Sequence, residues 1–133
     1  MRGFLLDTHV WFWHLTASPR ISREAVELID SSPGETWLSP ISVWELGLLH
    51  QRGRVEIEGD FRRWVATSRS RLQLREAPLQ QEIALQALAL DLPHRDPADH
   101  FLAATAAAYG LALITADRRL LDCAAVETVS ARG

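Results

Sequence analysis

Apolar and polar positions alternate in short blocks along this chain, and their spacing predicts strands and helices in succession. Phe4 to Leu6 is an apolar run of strand length that ends at Asp7. Val10 to Leu15 follows with apolar and aromatic residues at helical spacing, until Ser18-Pro19 breaks the pattern. Ser22 is placed to cap a helix from Arg23 to about Asp30, with Ala25, Leu28 and Ile29 inward. After the turn residues Ser31-Ser32-Pro33-Gly34, Thr36 to Leu38 reads as a second strand. Ser39-Pro40 then opens a helix, a capping hydroxyl followed by a first-turn proline. Glu56 to Asp60 reads as a surface turn. Phe61 to about Arg71 reads as an amphipathic helix, with Phe61, Trp64 and Val65 inward and a solvated face of Arg62, Arg63, Arg69 and Arg71. Leu72 to Arg75 is a candidate strand. Leu79 to about Leu90 is a candidate helix packed through Ile83, Ala84, Ala87 and Leu88.

The most informative stretch runs from Asp96 to Asp117. Asp96 suits an N-cap, Pro97 the first helical position, and Asp99 the third. The alanines from Ala103 to Ala108 favour helix and close approach to a neighbour, and Gly110 suits a left-handed helix end. Leu111 to Thr115 is a buried-strand run with Asp117 just beyond it. Arg118 to Cys123 predicts a short helix and Glu127 to Val129 a terminal strand. This alternation predicts an α/β fold with a parallel sheet. In such a sheet, helix N-termini and strand C-termini share the edge where ligands bind, so Asp99 and Asp117 should meet there. Asp7, directly after the first strand, opens onto the same edge.

Composition narrows the class. With 133 residues, 47% of them hydrophobic, the chain suits one globular domain spanning 1–133. A formal charge of −3 gives no global basic field for nucleic acid or anionic membrane, although a local Arg cluster or a metal can still attract phosphate. Cys123 is the only cysteine, so no internal disulfide forms, and we read it as structural. No apolar run approaches a membrane span, and an acid interrupts the N-terminal run at once. A soluble, cytoplasmic protein is expected.

Four acids stand at element ends or within an apolar helix: Asp7, Glu45, Asp99 and Asp117. Glu45 lies among Ile41, Val43, Trp44, Leu46 and Leu48, where it occupies a thin solvent face, pairs with an Arg, or ligates a cation. Carboxylates gathered without cations repel, and a divalent ion relieves that repulsion. Hard oxygen donors suit Mg²⁺ or Mn²⁺, which can activate water and stabilise charge on a phosphodiester. Zinc spacing, a P-loop and a Gly-x-Ser-x-Gly elbow are all absent. We read Trp11, Phe12 and Trp13 as core packing or a subunit interface rather than as a base-stacking platform.

Four blocks occur in order: Leu5-Leu6-Asp7-Thr8-His9, Ser39-x-x-Ser42-x-Trp44-Glu45, His94-Arg95-Asp96-Pro97-x-Asp99 and Leu113-Ile114-Thr115-Ala116-Asp117. Together they closely resemble the PIN-domain family, in particular the VapC-type toxins of bacterial toxin–antitoxin pairs. The resemblance covers essentially the whole chain. It implies a PIN-like α/β/α sandwich with a central parallel sheet. It also implies an endoribonuclease dependent on Mg²⁺ or Mn²⁺, neutralised by a cognate antitoxin protein and often a homodimer. By position, Asp7, Glu45 and Asp99 match the family's first three metal-site acids and Asp117 the more variable fourth. Thr115 matches a residue that holds a carboxylate or water, and Thr8 suits a similar orienting role. Asp96 is left as the helix cap that supports Asp99.

The chain departs from the family pattern in three places. Ala98 replaces a bulky apolar residue, His100 stands where an Arg is usual, and Leu49 stands where a Lys is common, with His50 beside it. The metal acids are intact, while the substrate contacts differ. We read His94 and His100 as surface or capping residues rather than phosphate contacts. A non-catalytic partner-binding PIN-like domain is therefore the rival reading. A metal-dependent DNA nuclease or phosphatase shares the same site chemistry.

Overall fold

Every strand of the sheet is short, and the sheet is parallel throughout. The computed structural model describes residues 3–92 and 96–132. Within them the strands are β1 Phe4–Leu6, β2 Thr36–Leu38, β3 Arg75–Glu76, β4 Ala112–Thr115 and β5 Thr128–Ser130. Their order across the sheet is β3-β2-β1-β4-β5. The helices are α1 Thr8–Leu15, α2 Arg23–Asp30, α3 Pro40–Gln51, α4 Phe61–Leu72, α5 Gln81–Ala89, α6 Pro97–Tyr109 and α7 Arg118–Leu121. None among the described residues is long and apolar enough to cross a membrane.

Side chains alternate across a strand, and here the alternation builds two cores. Leu6 and Ile114 point to one face and join Val10, Trp11, Ile29 and Leu46. Leu5 and Leu113 point to the other and join Leu102, Ala103, Ala106 and Leu120. Helices thus cover both faces, as an all-parallel sheet requires. The small buried side chains of Ala103, Ala104 and Ala106 let α6 lie close to the sheet and to α5. On α3, a Cβ at Gly47 would come within 3.2 Å of the Phe61 ring, so glycine is what admits α4 there.

The caps follow the expected chemistry. The Ser22, Ser39 and Asp96 side chains accept from the backbone N–H groups of Ala25, Ile41 and Ala98. Gly110 closes α6 in the left-handed region at φ 67°. Three expectations need correction. Leu72 ends α4 instead of starting a strand, because Gln73 turns left-handed at φ 50°, and β3 begins only at Arg75. The α5 helix starts at Gln81, two residues past Leu79. Leu88, expected inside, is 84% exposed because α5 presents only Ile83 and Ala87 fully to α6. Of the aromatic triplet, Trp11 is buried, donates from Nε1 to Ser68 at 3.2 Å and meets Trp64 edge-on at 5.3 Å. Phe12 packs on the same Trp64. Trp13 packs only partly against this core.

Leu102→Ala should therefore lower stability by about 2–5 kcal/mol, and Leu88→Ala by no more than about 0.5 kcal/mol. Urea unfolding of the two variants checks the assignment of inner and outer faces.

Candidate functional site

From β1 the chain visits β2 and β3 on one side, then crosses back to β4 on the other. The reversal places a crevice beyond the C-terminal ends of β1 and β4, the position where such sheets bind ligands. Asp7 follows β1 and Asp117 follows β4, so both stand at this crevice. Glu45 reaches it from α3 and Asp99 from the first turn of α6. All four line one cleft of about 340 Å³, together with Asp96, His9, Trp13, Arg20 and Arg119.

Asp7 occupies the N-cap position of α1, yet its side chain makes no capping bond. The carboxylate instead accepts a 2.6 Å hydrogen bond from the Thr115 hydroxyl. That hydroxyl in turn accepts from the Asp117 backbone N–H at 3.0 Å, so Thr115 ties the ends of β1 and β4 together. Asp7 is only 6% exposed, and burial pushes its pKa up. The Thr115 bond and the nearby His9 oppose that rise. Asp7 thus begins α1, yet its carboxylate is turned to Thr115 and lines the cleft.

Glu45 is half-buried, and burial again raises its pKa, reinforced by the charges of Asp96 and Asp7. Hydrogen bonding from Thr8 works in the opposite direction. The buried Thr8 and Ser42 hydroxyls lie 3.0 Å apart and join α1 to α3. Ser42 stands three residues before Glu45, on the same side of α3, so this contact fixes the turn that carries the acid. Among the described residues Glu45 is in no ion pair.

Asp96 and Asp99 divide their roles by position. Asp96 accepts from Ala98 N–H at 3.1 Å and starts the helix. Asp99, at the third helical position, is 6% exposed on the cleft side. Asp117 accepts from the Arg119 backbone at 2.8 Å and pairs with its guanidinium at 3.2 Å. The carboxylate raises the Arg119 pKa, with Asp99 and Asp96 contributing at longer range. Among the described residues, no three His, Cys, Asp or Glu side chains converge closely enough to enclose a metal ion. The four acids line the cleft without closing around a single point.

Sequence reasoning missed four members of the cleft wall: His9, Trp13, Arg20 and Arg119. Arg119 was within reach, since a cation two residues after a strand-end acid can fold back upon it. Arg20 was not, because the loop between α1 and α2 brings it in. His100 lies in the groove between α5 and α6, with Nδ1 3.4 Å from the Ala87 carbonyl, and not in the carboxylate cleft. His94 lies outside the described residues.

A family model described as the PIN domain matches residues 4–126. Ribonuclease VapC22 of Mycobacterium tuberculosis is 31% identical over 121 residues, covering 90% of this chain and 91% of that protein. The solved structure of FitAB bound to an IR36 DNA fragment superposes with a TM-score of 0.69 at 20% identity, covering 96% of this chain and 94% of that one. VapBC2 from Rickettsia felis, bound to a promoter DNA fragment, gives 0.69 at 15% identity, over 96% and 97% of the two chains. The two structures share the fold.

The raised pKa values of Asp7 and Glu45 fix the sign of a pH effect. The native state holds their protons more tightly than the unfolded chain, so metal-free stability falls as pH rises from about 4 through the folded pKa values. In EDTA, Asp7→Asn should melt above the wild type at pH 7.5, and the gap should close towards pH 4. A lower melting temperature for Asp7→Asn at pH 7.5 would contradict this reading.

Proposed function

We infer function from one premise: the chain belongs to the PIN-domain family. The protein is an endoribonuclease that depends on Mg²⁺ or Mn²⁺, works in the cytoplasm as a toxin, and is neutralised by a cognate antitoxin. The observation that carries this reading is Asp7, which forgoes its capping bond to sit buried at the sheet's reversal point among four further acids. The 31% identity to a protein named as a ribonuclease supports RNA as the substrate. Neighbours named as VapBC and FitAB complexes support an antitoxin partner. Residues 1–133 act as a single nuclease domain, and we expect a homodimer.

The residues fit a hard divalent cation. Mg²⁺ keeps several waters and binds through few carboxylates, so acids that line a cleft without enclosing one point suit it. Asp7 and Asp99 would hold the ion, with Glu45 and Asp117 completing the oxygen-rich wall. When bound, the ion supplies Lewis acidity, lowering the pKa of water and stabilising charge on the phosphodiester.

The remaining steps belong to the chain itself. Thr115 aims the Asp7 carboxylate, and Asp96 sets the start of α6 so that Asp99 faces the cleft. Thr8 and Ser42 hold the turn of α3 that bears Glu45. With its pKa raised, Glu45 is suited to take a proton from the attacking water onto a carboxylate oxygen. The leaving oxygen takes its proton from solvent. Arg119 and Arg20 supply positive charge at the cleft, in place of the basic residues expected at the positions of Leu49 and His100. They partly offset the acids before a cation or phosphate arrives.

A non-catalytic partner-binding domain has no need to bury Asp7 against the cost of ionising it, which favours the enzyme. Incubation with a mixed structured-RNA pool in Mn²⁺ should give discrete cleavage products. EDTA should abolish them, and Asp99→Ala should reduce the rate at least about 100-fold, the scale of losing one charge-stabilising group at a reaction centre. Equal cleavage by Asp99→Ala would refute the metal assignment. Cleavage of single-stranded DNA in preference to RNA would assign a DNA nuclease.

A further inference from the structure

Three concavities meet at Trp13 and Arg20. The first is the carboxylate cleft. A second, of about 450 Å³, leads away from it past His9, Phe12 and Arg54, and a third passes Pro19 towards Arg132. Trp13 and Arg20 border all three. No carboxylate lines the second or the third.

The side chains at this junction have the chemistry of a single-strand nucleic-acid track. Arg20 and Arg54 are exposed, and neither is in an ion pair among the described residues. Trp13 is half-buried: it packs against the first core and meets the His9 ring at 5.7 Å. Its neighbour Trp11 is fully committed to α4, so Trp13 alone of the pair borders the groove. Successive bases stack on aromatic rings while arginines follow the phosphates, and such binding tolerates any base. The acid cleft repels phosphate, so a strand that reaches it needs cations on its approach.

We propose that Trp13, Arg20 and Arg54 form the track along which single-stranded nucleotides flanking the scissile bond enter the carboxylate cleft. A base stacks on Trp13, its phosphate meets Arg20 at the junction, and the next phosphate meets Arg54. This assignment rests on the ribonuclease reading above. An antitoxin segment is the competing occupant of the same groove.

The test is binding of a fluorescein-labelled, mixed-sequence single-stranded RNA of about 12 nucleotides, within the span such grooves cover. Anisotropy is read in EDTA, so that binding is scored without cleavage. Arg20→Ala should weaken binding roughly tenfold and reduce the slope of log K against log salt by about 0.7, the loss of one single-strand phosphate contact. Trp13→Ala should weaken it roughly tenfold, and Trp13→Phe should recover most of the loss. Arg62→Ala, on the exposed face of α4, is the matched charge control. Arg20→Ala is a surface change and guards against a folding artefact at Trp13. Absence of RNA binding by the wild type overturns the track, as does wild-type affinity and salt slope in Arg20→Ala. Loss of antitoxin binding in both variants with RNA binding intact overturns it in favour of a protein-binding groove. RNA binding that is weakened in Arg20→Ala, without any Mn²⁺-dependent cleavage by the wild type, keeps Trp13, Arg20 and Arg54 as a single-strand binding groove and overturns the ribonuclease reading instead.

Discussion

The hydrogen bond from Thr115 to Asp7 joins the two strands between which the sheet reverses, and the rest of the site depends on it. It holds a carboxylate where burial opposes its charge, and it also receives the backbone N–H of Asp117. One hydroxyl thus sets the position of one acid and the start of the segment that carries another. The cost of burying Asp7 is met by the strength of the two cores beneath it. Leu5, Leu6, Leu113 and Ile114 are all fully buried and hold β1 against β4 along three paired positions.

The two sides of the cleft are built by different means. On one side, α6 is an alanine-rich helix that can lie close to the sheet, so its first turn reaches the crevice and brings Asp99 with it. On the other, α3 is held through the buried Thr8–Ser42 contact and carries Glu45 on the same side as Ser42. Neither acid is placed by a long flexible side chain or a loop. Both are placed by helix starts and helix faces, the most rigid parts available to a chain of this size. The cations are placed otherwise: Arg20 comes from a loop, and Arg119 folds back on Asp117 from a helix of four residues. The acids are therefore set by the framework of the fold, while the positive charges at the cleft come from a loop and a short helix.

Much of this was legible in the sequence, because the local signals agreed with one another. A capping acid, a proline and an alanine run ending in glycine define α6 without tertiary information, and the apolar runs define β1, β2 and β4. The acids stood out because each interrupts or ends an apolar run. What could not be read depended on tertiary context. The turn at Gln73 is a left-handed conformation of a residue that does not advertise it. Leu88 belongs to an apolar pattern that fits a buried face, yet α6 covers only part of α5. Trp11 and Trp13 are the same residue type two positions apart on one helix, and only the packing of α4 decides which enters the core. Arg20 is distant in sequence from every acid it accompanies.

Diffraction from crystals grown with Mn²⁺ tests most directly whether a cation is held where the strand order reverses. Anomalous scattering should show a single dominant peak between the Asp7 and Asp99 carboxylates, with Glu45 and Asp117 within reach of its waters. A peak confined to other surface acids, or none from crystals in which the cleft is open to solvent, would contradict it.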